Sequence, residues 1–201
     1  MALGLFIAWD GFLRLPSDLL SLTPASLVRP VSREQGQWAL LLYPEEGPAR
    51  SKTGGFDEGL MLRHAACSKL SGWLRRLKER RAASSPLWAF TEKQFLQVFA
   101  SGVATLKLPV GTIPYQVRHG AASHAALEGE DISSIQRRLR HASPATARRY
   151  EKHARYLAEA GKLPSAVKAY GEWVEMNLVP LLLGTMPVIS FGHCKRLCGW
   201  S

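Results

Sequence analysis

Apart from one short strand-like stretch, every patterned segment of this chain repeats its apolar residues at helical spacing, and that combination leaves few folds open. The exception is Trp38-Ala-Leu-Leu-Leu-Tyr43, a six-residue apolar run closed by Pro44-Glu-Glu-Gly-Pro48. Its length and its turn-forming flank predict a strand. Ser51-Lys52-Thr53 then meets Gly54-Gly55, a hairpin turn signal, and Phe56 to Leu62 supply a return strand. Residues 38–62 are therefore expected to form a small antiparallel sheet, with Lys52 just before its tight turn.

Around that sheet the pattern is helical. Residues 1–22 predict a helix that breaks near Arg14, because Pro16 removes a backbone donor and Ser17-Asp18 offers a new N-cap. Residues 67–81 predict a basic amphipathic helix, with Leu70, Trp73, Leu74 and Leu77 on one face and Arg75, Arg76, Lys78, Arg80 and Arg81 around the rest. A helix over roughly 91–105 carries Phe95, Leu96, Phe99 and Val103, and 108–114 reads as loop. Three segments follow. The first, about 116–127, has an alanine-rich face. The second starts at the N-cap Asp131 and buries Ile132, Ile135 and Leu139, leaving Arg137, Arg138 and Arg140 outside. The third is signalled by Ser143-Pro144. Residues 157–183 form an apolar-striped helical segment broken by Pro164 and Pro180, and no pattern follows Gly184. The expected fold class is mainly α with a small antiparallel β-sheet (α+β).

A chain of 201 residues has room for one medium domain, or one domain and a tail. With 46% apolar and 21% charged residues it can build a core. Lys and Arg number 26 against 16 Asp and Glu, a formal charge of +10, which predicts attraction to a polyanion: nucleic acid before an acidic membrane surface. No run of 18 apolar residues exists, which excludes a helical membrane span on length. The apolar opening lacks a basic n-region and meets Asp10 and Arg14 at once, so it reads as a buried helix whose beginning has been lost rather than a signal peptide. Three cysteines, Cys67, Cys194 and Cys198, are too few for a disulfide framework and point to a reducing compartment. His193, Cys194 and Cys198 lie in an unpatterned tail and make a poor zinc site; no metal is expected. The basic run 75–81 reads first as a solvated helix face, with phosphate contacts as the functional alternative.

Arg118 opens one helical segment, His141 ends the next and Tyr150 lies on the third, at spacings of 23 and 9 residues. Their context is Val117-Arg-His-Gly-Ala-Ala-Ser-His124, Gly129, Ile135-Gln-Arg-Arg-Leu-Arg-His141, Ser143 and Ala147-Arg-Arg-Tyr150. This wording resembles the C-terminal signature of the tyrosine recombinases (the phage integrase family), where a Leu-Arg-His-Thr-like segment, a Leu-Gly-His-Ser-like segment and the nucleophilic tyrosine occur with this separation. Upstream, Phe12-Leu-Arg14-Leu-Pro-Ser-Asp18-Leu-Leu is similar to the segment holding the first catalytic arginine, and Ser51-Lys52-Thr-Gly-Gly to the hairpin holding the catalytic lysine. The resemblance covers about residues 5–155. The wording is also similar to that of integrase-like open reading frames abundant in dinoflagellates.

The resemblance implies DNA strand cleavage and rejoining through a 3′-phosphotyrosine, with Arg14, Lys52, Arg118, His141 and Tyr150 as the catalytic set. The chemistry needs these residue types. Attack on a phosphodiester builds further negative charge, which planar guanidiniums grip in a bidentate manner that an ammonium cannot copy. His141 adds a donor, Tyr150 forms the covalent intermediate, and Lys52 protonates the leaving 5′ oxygen. The arginines supply the positive charge a cation would bring, so no cofactor is implied. Duplex DNA is the implied partner, approached by Arg75, Arg76, Arg137, Arg138, Arg140, Arg148 and Arg149. A homo-oligomer (a tetramer) would form on it, with the helical segment after Tyr150 docking on a neighbour. No membrane is involved, and the location is intracellular, nuclear in a eukaryote. Residues 1–156 would be the catalytic domain, 157–184 a C-terminal helical segment and 185–201 a tail.

Two departures stand out. The family commonly has His three residues before the second arginine, where this chain has Tyr115, and a phenol titrating near ~10 is a poor base at neutral pH. One extra residue separates Arg14 from its acidic partner, here Asp18. His119 and His124 find no matched role and are left structural. The chain also begins almost at Arg14, so the DNA-clamping domain that precedes it in many relatives is expected to be missing. The alternative is therefore a truncated or decayed integrase-like protein that binds DNA without cutting it. A basic helical interaction module unrelated to DNA is a third reading.

Overall fold

The computed structural model describes residues 1–31, 36–44, 58–141, 143–187, 189 and 191. Helix α1 (Ala2–Asp10) is apolar on nearly every side and is buried accordingly through Leu3, Phe6, Ile7 and Ala8. The chain then turns a corner at Gly11–Pro16 and re-enters a short helix, α2 (Ser17–Ser21). Arg14 sits in that corner, as the proline and cap signals predicted. The corner is sharp because Phe12 adopts a left-handed φ of 50°, a conformation that costs an ordinary side chain about 1–2 kcal/mol.

A three-stranded antiparallel sheet follows, in the order β1 (Leu27–Val28), β2 (Ala39–Leu42), β3 (Glu58–Met61). Its register pairs Leu27 with Leu40 and Leu40 with Leu60. Alternation buries Leu40, Leu42 and Leu60 against Leu13, Leu19, Leu22 and Trp38. The sheet of 38–62 is thus present, with β1 as an added edge too short to leave a sequence pattern. The expected hairpin tip, with Lys52, lies outside the described residues.

The basic helix expected over 67–81 is two pieces, α3 (Ala65–Lys69) and α4 (Ser71–Glu79), joined through Leu70. Leu70 and Leu74 enter the core, while Arg75 and Arg76 are exposed. Lys78 departs from the expected solvated face: its ammonium donates to the carbonyls of Pro24 (2.8 Å) and Leu27 (2.7 Å), tying α4 to the start of the sheet. Helix α5 (Glu92–Thr105) opens with a reciprocal Thr91–Gln94 capping box.

Helix α6 (Tyr115–Leu127) packs Ala121, Ala122 and Ala126 on a second small core formed with Phe12, Ile135, Leu139 and Tyr150. Helix α7 (Ile132–Arg138) starts as predicted, with the Asp131 carboxylate accepting from the backbone N–H groups of Ser133 and Ser134, each at 3.1 Å. Both α6 and α7 end in the same way. After α6, Gly129 takes the left-handed φ; after α7, Arg140 takes it at 53°. The N–H groups of Arg140 and His141 then satisfy the carbonyls of Arg137 and Gln136. A non-glycine is held there because its side chain is anchored, as described below.

Helix α8 (Pro144–Ala147) runs into a 3-10 turn, Arg148–Glu151, that carries Tyr150. Helices α9 (His153–Gly161), α10 (Ser165–Met176) and α11 (Leu178–Leu183) complete the described chain. Pro164 separates α9 from α10 as expected. Pro180 does not break a helix; it lies in the first turn of α11, where no intrahelical N–H is needed, and the chain divides at Asn177 instead. Leu178, Val179 and Leu182 pack against the main core of this same chain. No helix among the described residues is long and apolar enough to cross a membrane.

Candidate active site

Arg118 occupies the centre. It is 1% exposed, and its Nη1 donates to the Phe12 carbonyl at 2.5 Å while Nη2 donates to the Leu139 carbonyl. One side chain thus braces the corner that carries Arg14 against the end of α7. Two of its five N–H donors are used in this way. Burial, reinforced by the positive fields of Arg140 and Arg14, pushes its pKa down to about 10, so it remains charged at neutral pH.

Arg14 faces the same space. Its backbone N–H, rather than its guanidinium, donates to Asp18 Oδ2 at 2.8 Å. The half-buried guanidinium has no hydrogen-bond or ion-pair partner among the described residues. Its charge helps depress the pKa of both Arg118 and His141. Asp18 does not neutralise it, because that carboxylate is already engaged by the Tyr43 hydroxyl (2.7 Å) and by Arg140.

His141 leaves α7 through the left-handed turn at Arg140 and stacks on Tyr150, with ring centroids 6.4 Å apart and planes inclined by 23°. Burial, then Arg118, Arg149, Arg14 and His119, push its pKa down to about 4. Its Nδ1 is buried without a hydrogen-bond partner among the described residues. Tyr150 is 4% exposed, and burial raises its phenol while Arg149 and Arg118 pull it down. The fold therefore brings Arg14, Arg118, His141 and Tyr150 together, with the exposed Arg149 close by; Lys52 lies outside the described residues. The shared feature is excess positive charge, since three guanidiniums act on one partly buried imidazole. An anion is the complement such a site calls for.

The sequence reading missed His119. Its Nδ1 lies 2.7 Å from the Tyr150 hydroxyl, and its ring meets the edge of Tyr115 at 4.6 Å between centroids. Tyr115, Arg118 and His119 fall at i, i+3 and i+4 on α6, one face of one turn. That spacing was the available signal. His124 instead meets the Trp9 ring edge-on.

Two of the arginines expected to be outside are not. Arg138, with a 12% exposed side chain, pairs with Glu130, lies 3.8 Å from Asp10 and stacks its guanidinium 3.8 Å over the Phe12 ring. Arg140, with a 6% exposed side chain, pairs with Asp18 and lies 3.3 Å from Glu58. Their charges are spent inside the protein because the acids that match them come from α1, α2, β3 and the α6–α7 turn. This corrects their assignment as DNA contacts. Arg75, Arg76, Arg137, Arg148 and Arg149 are exposed. Among the described residues, no three His, Cys, Asp or Glu side chains are grouped so as to hold a metal ion. His193, Cys194 and Cys198 lie outside them.

The architecture, a helical assembly with a small antiparallel sheet, is similar in fold to part of a solved site-specific recombinase. The solved structure that carries this similarity is the crystal structure of the XerH site-specific recombinase bound to its difH substrate in a pre-cleavage complex, at a TM-score of 0.55 and 16% sequence identity. The match covers 74% of this chain and 41% of that one. No family model matches the sequence, and no curated protein matches it. The comparisons lend no support to a dinoflagellate origin.

Proposed function

We propose that this chain is the strand-cleaving part of a tyrosine-type DNA recombinase, acting on duplex DNA through a 3′-phosphotyrosine intermediate. The observation that carries the reading is the Arg14 guanidinium, without a partner among the described residues, in the same charge cluster as Arg118, His141 and the buried Tyr150. In this reading a backbone phosphate enters between the two arginines. Arg14 supplies a free planar fork, and Arg118 supplies the N–H donors it does not spend on Phe12 and Leu139. His141, neutral at pH 7, donates to a non-bridging oxygen. Each donor aimed at the developing charge contributes about 3–4 kcal/mol, or 10²–10³ in rate. Tyr150 attacks phosphorus, and Lys52 serves the leaving 5′ oxygen, as the resemblance implies. Exposed Arg137, Arg148 and Arg149 contact flanking phosphates, and the active form is a homo-oligomer on DNA, inside the cell.

The test is a nicked suicide duplex whose short 5′ product diffuses away. A covalent protein–DNA adduct that disappears in Tyr150→Phe is the expected result. A second reading, DNA binding by a decayed copy without cleavage, is favoured by Tyr115 standing where the family has histidine. It predicts retention of the duplex at low salt and no adduct.

A further inference from the structure

We propose that His119, one helical turn beyond Tyr115 on α6, is the base that takes the proton from Tyr150 during strand cleavage. The inference rests on the cleavage reading above and assigns that site's missing base. The Tyr150 hydroxyl and His119 Nδ1 are 2.7 Å apart, with ring centroids at 5.7 Å and planes inclined by 32°. A phenol pointed at an imidazole nitrogen at that distance is placed for proton transfer without rearrangement. The other imidazole near the nucleophile, His141, stacks on the tyrosine ring instead of meeting its hydroxyl. Tyr115 is not placed for the task either: its ring meets His119 edge-on and is 42% exposed.

The charge environment suits an acceptor. The groups that act on His119 are Arg118 on its own helix and Arg149 from the turn carrying Tyr150, with Tyr115 against its ring and His141 beyond Tyr150. Burial first, and then the two arginines, lower its pKa, so the ring is neutral at pH 7 and Nδ1 can receive a proton. Once DNA is bound, the phosphate's negative charge offsets those arginines and raises the basicity of the ring as the proton moves.

The step balances. Tyr150 gives its hydroxyl proton to His119 Nδ1 while its oxygen forms the bond to phosphorus. The bond from phosphorus to the 5′ oxygen breaks with its electron pair on oxygen, and that oxygen leaves as a hydroxyl with a proton from its general acid or from solvent. Religation runs the step backwards, with His119 returning its proton to the phenolate.

The decisive variant is His119→Asn, whose amide oxygen stands near the position of Nδ1 and still accepts the tyrosine hydroxyl but does not titrate. With the suicide duplex in single turnover, adduct formation is expected to slow about 10²-fold or more while duplex binding is unchanged. The wild type should lose rate as pH falls through the imidazole pKa, and that acid limb should vanish in His119→Asn and persist in Tyr115→Phe. A substrate with sulfur in place of the bridging 5′ oxygen needs no acid on its leaving group, so it should leave the His119→Asn defect in place. Rescue by that substrate would make His119 the acid and overturn the assignment. So would an adduct rate equal to wild type. If wild type itself forms no adduct, the cleavage reading falls too, which separates the two failures. Should the variant unfold, nitrogen-15 NMR of the wild-type imidazole decides: a protonated Nε2 and bare Nδ1 are expected, and the opposite tautomer overturns the proposal.

Discussion

Asp18 and Arg140, 122 positions apart in the chain, form an ion pair in which the carboxylate is fully buried and the guanidinium side chain is 6% exposed. The same carboxylate accepts from the Tyr43 hydroxyl and from the backbone N–H of Arg14. One acid therefore sets the corner that presents Arg14 and holds the left-handed turn that presents His141. Removing it breaks a buried ion pair and leaves Arg140 with Glu58 at 3.3 Å as its remaining acid, a loss of about 3–5 kcal/mol at most. Asp18→Asn is expected to lower the unfolding free energy by up to that amount, read as a lower urea midpoint at unchanged m. Asp18→Asn combined with Arg140→Met should cost less than the sum of the two single changes, because both break the same ion pair.

Arg14→Ala should behave differently. Its guanidinium has no partner among the described residues, so stability is expected to stay within about 0.5 kcal/mol of wild type. Adduct formation on the suicide duplex should nevertheless fall by about 10²–10³. Arg118→Ala is the contrast. It leaves the carbonyls of Phe12 and Leu139 without their donor and should lower stability by about 2–4 kcal/mol in addition to abolishing cleavage. Thermal melts run beside the cleavage assay separate the two arginines.

Acid should weaken the fold through its histidines. His141 is held near 4 in the native state against 6.5 for the free ring, and His119 is shifted the same way by burial and by Arg149 and Arg118. Between those values the unfolded chain binds protons that the fold refuses, so stability is full above about pH 6.5 and declines as pH falls toward 4. Burial raises Asp10, which acts in the opposite sense, so the informative quantity is a difference. Urea midpoints measured from pH 7.5 to 4.5 should fall less steeply in His141→Gln than in wild type.

DNA affinity should separate the arginines by exposure. Arg137→Ala and Arg148→Ala remove solvent-facing charges and are each expected to reduce the slope of log affinity against log salt by about 1. Arg138→Ala breaks its pairing with Glu130 and its stacking on Phe12, and should show up first as a lower melting temperature. Fluorescence anisotropy with a labelled duplex over a salt series, with parallel melts, reads both.

Local signals made most of the helices legible. Asp131 and the Ser143-Pro144 pair each mark a start that the structure keeps, because a cap is a contact between residues two or three apart. That Arg14, Arg118, His141 and Tyr150 fall in four separate segments was legible from spacing and resemblance together. The direction in which Arg138 and Arg140 point was not. A run of arginines on a short helix looks solvated until the acids that match it, Asp10, Asp18 and Glu58, arrive from far along the chain. Lys78 was misjudged for the same reason, since its carbonyl partners lie more than 50 residues upstream. His119 was visible as the i+4 neighbour of Tyr115, but its role depends on a hydroxyl 31 residues away.

The brace that Arg118 makes between Phe12 and Leu139 has an evolutionary consequence. A gene copy released from selection for cutting still needs this arginine to close the fold, whereas no hydrogen bond or ion pair among the described residues holds the side chain of Arg14. Across descendants of such a gene, erosion at position 14 with retention at position 118 is the expected imprint of domestication, and retention at both is the imprint of a working nuclease-ligase.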